Sequence, residues 1–442
     1  MIAELLVPSA RPDRLLRAAT TICFLLGAAV WAGVLTILVA DPRAIWAWRF
    51  GEYLSVKPLV VILVGLAAVF CLTAGRRLPP VVYNLALTAI LVGLYLSTAV
   101  VPMGDGFVWL RHAQGDTLAG SELLSNLLNH IIVKLNLSAD YIAPISGALT
   151  SFIILSTCEV LFGGGKANPA RPVWSLLWIG GGVQVLFLRG YIENTQASLP
   201  FLAGCLYFVA RYLRAPAHRL ARSMVMAAVL LTLAGMFHGE HSFLAPALLG
   251  AILIHRLAQK DYGVLARELA LSAGVMILLP LLTCGVLSAM GFELTIGNIL
   301  GGGDKFMFTP LSAIDSDQCE VSLFSFWHAN QIANTLLAAV PAGFLAAVGM
   351  AWTVWKRAWP ADVGKHLVLA LFGLGYLAFV CLWGFDLGFP ADYDLMVSMS
   401  LPLVLWVTAV LLETPIRSKP LWAAAVAVGL TAAWPTMFLI MR

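Results

Sequence analysis

The sequence predicts an all-α fold, a polytopic transmembrane helix bundle of about thirteen spans with the N-terminus inside and the C-terminus outside. Three observations predict it: an unusually apolar composition, a series of apolar runs of span length, and an alternation of charge between them. The 442 residues are 60% hydrophobic and 11% charged, with a mean hydropathy of +0.89. Soluble domains are roughly 45–50% apolar and about 25% charged, so water is excluded as the solvent for most of this surface. About 20 apolar residues cross a bilayer, which makes the whole chain, 1–442, one helical bundle rather than several soluble domains.

The first apolar run, 18–40, follows a polar, basic leader and is too long for a secretory h-region, so it reads as a retained span. The remaining expected spans are 57–74, 80–101, 141–163, 173–188, 197–213, 223–238, 242–257, 268–291, 332–355, 366–384, 395–412 and 420–440. Each is bounded by charges or by Pro/Gly-rich breaks. Two outer segments are long: 102–140, which includes an interfacial helix, and 292–331, a capping loop. Six of the seven cysteines lie in apolar runs, and Cys319 has no evident partner in its loop, so no disulfide framework is expected.

With the N-terminus inside, the inner segments take 19 of the 27 Lys and Arg residues, as the positive-inside rule requires. Each inner loop then has at least two basic residues. The outer segments take 16 of the 23 Asp and Glu residues. Acidic residues contribute little to orientation, so this second bias asks for another cause, and function is one candidate.

Five outer constellations carry chemistry. Asp105 stands between Gly104 and Gly106 just past the third span, where glycines permit a sharp turn; it reads as a turn aspartate or as a reactive carboxylate. After it, Leu123, Leu124, Leu127, Leu128, Ile131, Ile132 and Leu135 recur at helical spacing, predicting an amphipathic helix over 121–137 in the outer interface. Arg189, Glu193, Asn194 and Gln196 share a short hairpin. The run Phe237-His238-Gly239-Glu240-His241 offers two imidazoles three residues apart and a carboxylate, suited to a metal or a phosphate, without a metalloprotease spacing. The loop 292–331 carries Asp304 and Lys305 after three glycines. Asp386, Asp392 and Asp394 crowd three carboxylates at one membrane edge, where they repel one another unless a cation or basic group intervenes.

Several of these pieces resemble the GT-C-fold integral membrane glycosyltransferases, and more narrowly bacterial GT-C-like proteins. The pieces are Gly104-Asp105-Gly106, Gly190-Tyr191-Ile192-Glu193-Asn194, His238 before an apolar span, and Asp386-Leu387-Gly388-Phe389-Pro390 with Asp392-Tyr393-Asp394. The resemblance runs from about residue 80 to 412. It implies transfer of a sugar from a polyprenyl-phosphate lipid donor to an extracytoplasmic acceptor, in a bacterial inner membrane with the active face outward. It implies Asp105 as the catalytic base, with Glu193 as the second catalytic carboxylate. Arg111, Arg189, His238, His241 and Lys305 are then the phosphate partners, and Asp386, Asp392 and Asp394 contact substrate. The expected partners are the bilayer, the lipid donor and the acceptor, with no nucleic acid. No strong metal-ligand motif is present, and a divalent cofactor stays open. Two other readings stand beside this one: a transporter or flippase of a lipid-linked or acidic solute, and a non-catalytic subunit of a larger membrane assembly.

Overall fold

The computed structural model describes residues 12–40, 58–75, 77–96, 117–119, 122–163, 168, 170–187, 189, 194–214, 221–295, 322–340, 342–360, 362–382 and 398–413. These residues are mostly helical, with short turns between the helices and one three-residue strand pair. In chain order the helices are α1 (Pro12–Ala40), α2 (Pro58–Ala74), α3 (Pro80–Leu96), α4 (Leu123–Lys134), α5 (Ile142–Phe162), α6 (Arg171–Ile179) and α7 (Asn194–Arg214). They continue as α8 (Ala221–Phe237), α9 (Ala245–Gln259), α10 (Tyr262–Ala289), α11 (Phe326–Ala339), α12 (Gly343–Lys356), α13 (Val363–Leu382) and α14 (Ser400–Glu413). Strand β1 (Thr117–Ala119) pairs in parallel with β2 (Glu293–Thr295), tying the segment before α4 to the end of α10.

Among the described residues, five stretches are long and apolar enough to cross a membrane: Leu16–Gly33, Ala139–Phe162, Gly239–Gln259, Tyr262–Ala289 and Val363–Leu382. Their surroundings invert the pattern of a water-soluble protein. Along α10, Ile277, Leu278, Leu281, Leu282 and Val286 all point outward, whereas Glu268 and Ser272 of the same helix are buried. Exposed aliphatic rows joined to a polar interior are stable in hydrocarbon, where backbone and side-chain polar groups must be satisfied within the protein.

Two expected spans are interrupted. The run 173–188 is α6 followed by a 3-10 helix, Gly182–Phe187. The run 332–355 is divided between α11 and α12, where Pro341 sits in the sequence and has no N–H for a continuing helix. Close packing fills the seam: a Cβ on Gly343 would fall 1.7 Å from the Trp31 ring, so at this point only glycine lets α12 approach α1. The expected span 420–440 lies outside the described residues. So does most of the expected cap at 292–331, but Phe324, Phe326 and Trp327 at its end face outward rather than onto the bundle.

Hydrogen bonds sort the helix ends into two sets. At one end, the Arg171 guanidinium at the start of α6 pairs with Glu159 of α5 and donates to the carbonyls of Gly75 (2.7 Å) and Leu78 (2.9 Å), between α2 and α3. Arg214 at the end of α7 donates to the Leu161 carbonyl near the end of α5. Arg256 of α9 forks onto Glu268 of α10, at 2.8 and 2.5 Å, and Tyr212 of α7 donates to the same carboxylate at 2.9 Å. Lys365 and His366 at the start of α13 share Glu413 at the end of α14. This is the basic end. At the opposite end, the Arg189 N–H donates to Tyr95 near the end of α3 (2.9 Å), and His328 of α11 meets the Cys381 carbonyl of α13 (3.0 Å). The starts of α5 and α7 and the end of α8 lie there too. We call this the histidine end.

The Arg256–Glu268 pair tests this arrangement. Removing one partner strands a buried charge, so Arg256→Met is expected to cost about 3–5 kcal/mol. Arg256→Met combined with Glu268→Met should cost less than the single change, as measured by unfolding of the purified protein in detergent.

Candidate functional site

The site is built on α4, and by its inner face. Leu124, Leu127 and Leu128 are half-buried and Ile131 is exposed, while Ser125, Asn126, Asn129 and His130 are buried. The amphipathic helix expected at 121–137 is present over Leu123–Lys134, and its polar stripe packs inward together with Leu123 and Ile132 of the apolar set. The reason is hydrogen bonding. Ser125 Oγ lies 2.7 Å from the Phe237 carbonyl, one of the orphan carbonyls at the end of α8. Asn129 Nδ2 donates to Asn194 Oδ1 at 3.0 Å, and Asn194 Nδ2 donates to Glu122 Oε2 at 2.7 Å. Asn194 opens α7, so one amide bridges two elements.

Glu122 is also 3.1 Å from His238 Nε2 through its other oxygen, Oε1. His238 breaks the run between α8 and a 3-10 helix, Gly239–Leu244, with an extended backbone (φ −151°, ψ 119°). The break turns the imidazole back toward α4. The side chains of Glu122 and His238 are 15% and 12% exposed, so this pair is the less buried part of the site.

Behind it lies a sealed row. His238 Nδ1 is 3.8 Å from Glu240 Oε2, beyond hydrogen-bond length but close enough for strong electrostatic coupling. Tyr376 of α13 donates to Glu240 Oε1 at 2.9 Å and also contacts His241 Nδ1. His241 Nε2 is 2.5 Å from Ser198 Oγ of α7, which is itself 2.5 Å from the Thr195 carbonyl. Glu240, His241, Ser198 and Tyr376 are all buried.

Counting protons shows what the row can do. Tyr376 and Ser198 have one hydroxyl proton each, and neutral histidine has one N–H. With Glu240 ionised, Tyr376 donates to Glu240, His241 Nδ1–H donates to the Tyr376 oxygen, and Ser198 donates to Nε2. With Glu240 protonated every bond reverses: Glu240 donates to Tyr376, Tyr376 to Nδ1, Nε2–H to Ser198, and Ser198 to Thr195. The two states differ by one proton on Glu240 and by the tautomer of His241. The arrangement is therefore an acid–base pair at the rim backed by a row that stores and shifts one proton.

His238 and His241, singled out from the sequence, are brought together with Glu240. His241, expected against a phosphate, belongs to the sealed half, with both ring nitrogens engaged. Arg189 is placed against the start of α5, with its guanidinium over the Tyr141 ring (5.3 Å) and 3.9 Å from Asp140. Asp105, Arg111, Glu193, Lys305, Asp386, Asp392 and Asp394 lie outside the described residues. Among the described residues, no three His, Cys, Asp or Glu side chains converge to hold a metal ion. Sequence reasoning passed over Glu122, Asn129, Ser198 and Tyr376. For the first two a signal existed: Glu122, Ser125, Asn126 and Asn129 recur at i, i+3, i+4 and i+7.

A scan against protein-family models found no match, and a search of curated proteins found none.

Tyr376→Phe removes the hydroxyl between Glu240 and His241 while preserving shape. Leaving buried acceptors short of that partner is expected to lower stability by about 1–3 kcal/mol, read as the unfolding midpoint in detergent.

Proposed function

We propose that this protein is a GT-C-like membrane glycosyltransferase of about thirteen spans, with its basic end cytoplasmic and its histidine end facing outward from a bacterial inner membrane. The observation that carries the reading is the Glu122–His238 pair, an accessible carboxylate and imidazole 3.1 Å apart at the end of an apolar bundle. The orientation is supported by the gathering of Arg171, Arg214, Arg256 and Lys365 at the other end.

In the reaction the acceptor hydroxyl gives its proton to a carboxylate as its oxygen bonds to the anomeric carbon. The bond from that carbon to the donor phosphate breaks, and the polyprenyl phosphate leaves with the electron pair. A positioned base contributes about 10²–10⁴-fold. The resemblance gives this role to Asp105, with Glu193 beside it. The geometry supports Glu122 for the same work, because His238 and Asn194 fix its orientation and the sealed row offers the proton a destination. Cations at the leaving phosphate stabilise its charge, and Arg111, Arg189 and Lys305 are the candidates. Asp386, Asp392 and Asp394 then contact the sugar or acceptor.

One observation favours a second reading. Glu240, Tyr376, His241 and Ser198 form a proton-exchanging row inside the bundle, where transporters that couple to protons place such groups. Transport predicts solute flux into vesicles that hold no polyprenyl-phosphate sugar, driven by a pH gradient and lost in Glu240→Gln.

Glycosyl transfer predicts product from a polyprenyl-phosphate sugar and membranes containing the protein. Asp105→Asn abolishing product while Glu122→Gln retains it assigns the base to Asp105, and the reverse assigns it to Glu122. Product from both variants at the wild-type rate removes both carboxylates as the base, and no product from wild-type membranes beyond that of membranes lacking the protein removes glycosyl transfer as the function. The loss expected for the true base is about 10²–10⁴-fold.

A further inference from the structure

A cavity of about 660 Å³ opens at the basic end, between the start of α1, the ends of α7 and α9, and the segment 357–365 leading into α13. Its charged lining consists of Arg17, Arg357, Lys365, Asp362 and the imidazole of His255. Three of these are occupied. Lys365 pairs with Glu413. Asp362 accepts the Lys365 N–H at 3.0 Å, capping α13. His255 Nε2 is 2.9 Å from the Gln259 amide. Arg17 and Arg357 remain, both exposed at the cavity edge, and among the described residues neither has an ion-pair partner. Arg357 closes α12 in the left-handed conformation (φ 52°), which turns the chain back toward α13 and leaves its side chain on the cavity wall.

The rest of the lining is apolar, with Leu16, Leu213, Ile254, Trp359 and Val363. The hollow is therefore amphiphilic: two guanidiniums at the edge and an aliphatic and indole wall beside them. Asp362 keeps its negative charge while capping α13, but the two guanidiniums outnumber it, so the lining favours an anion, and a neutral apolar guest leaves both guanidiniums unanswered. A guanidinium matches a phosphate with paired parallel hydrogen bonds. Basic pockets of this kind between transmembrane helices suit lipid headgroups. The first turn of α13 borders the same hollow and adds the positive end of its dipole.

We propose that this cavity binds a phosphate group through Arg17 and Arg357, carried by an anionic phospholipid headgroup or by a soluble phosphate compound. The site is independent of glycosyl transfer, because it lies at the opposite end of the bundle from Glu122 and His238.

The test uses the purified full chain in mixed phosphatidylcholine micelles, titrated with phosphatidylglycerol in one arm and inorganic phosphate in the other, with chloride as the salt control. The readout is the shift in unfolding temperature. Each arginine near the surface is worth about fivefold in binding, so R17Q/R357Q should need about 30-fold more probe for half the shift. The single variants R17Q and R357Q should need about fivefold more each, which keeps the test informative if the double variant does not fold. Arg77, exposed at the same end but outside the cavity, provides the control, and R77Q should respond as wild type. A response to phosphatidylglycerol alone identifies the lipid as the source; a response to inorganic phosphate identifies a soluble one. Equal responses from wild type and R17Q/R357Q, an equal loss in R77Q, or no response beyond phosphatidylcholine and chloride overturns the proposal.

Discussion

Hydrocarbon offers no hydrogen bonds, and that constraint organises every polar residue described above. Isolated threonines satisfy themselves locally: Thr157, Thr232, Thr353 and Thr408 each donate to the carbonyl four residues back. Such bonds need no neighbour and leave the helix free to face lipid or protein. Tyr83 and Tyr95 cannot do this. Tyr83 reaches Ser175 of α6 at 2.8 Å, and Tyr95 reaches Ser151 of α5 (3.1 Å) and Gln184 (2.5 Å). These contacts set which helices neighbour one another, because non-specific apolar packing does little to choose partners within lipid.

The two ends of the bundle meet the same constraint with different chemistry. At the basic end, the buried charges are paired in place, with Arg256 and Glu268 both almost fully buried, while Arg17 and Arg357 stay exposed at the cavity. Such pairs hold geometry and have no spare valence for a substrate. At the histidine end the groups are carboxylates, imidazoles, amides and hydroxyls whose protons can move without leaving a charge unpaired.

Much of the helical architecture was legible because apolar runs of span length have few alternatives in water or lipid. The interruptions were less so. The run 332–355 reads as one apolar stretch, and only the crowding of Gly343 on Trp31 and the position of Pro341 explain its division. In the site, His238 and His241 stood out as polar residues adjacent in the chain. Tyr376 and Ser198 did not: Tyr376 is a single polar residue in an apolar run and finds His241 across 135 positions, and Ser198 is one small hydroxyl behind the more conspicuous Asn194 and Gln196. On α4 the eye followed the leucines, since seven apolar residues outweigh four polar ones in any periodicity argument. The structure assigns the meaning of the helix to the minority face.

That inward polar face has a consequence for how the chain is made. Glu122 must wait for Asn194, 72 residues later, and Ser125 for the Phe237 carbonyl, 112 residues later. Until α7 and α8 have been made, the carboxylate and amides of α4 have only water to bind, so this polar face cannot complete its hydrogen bonds before those two helices are in place.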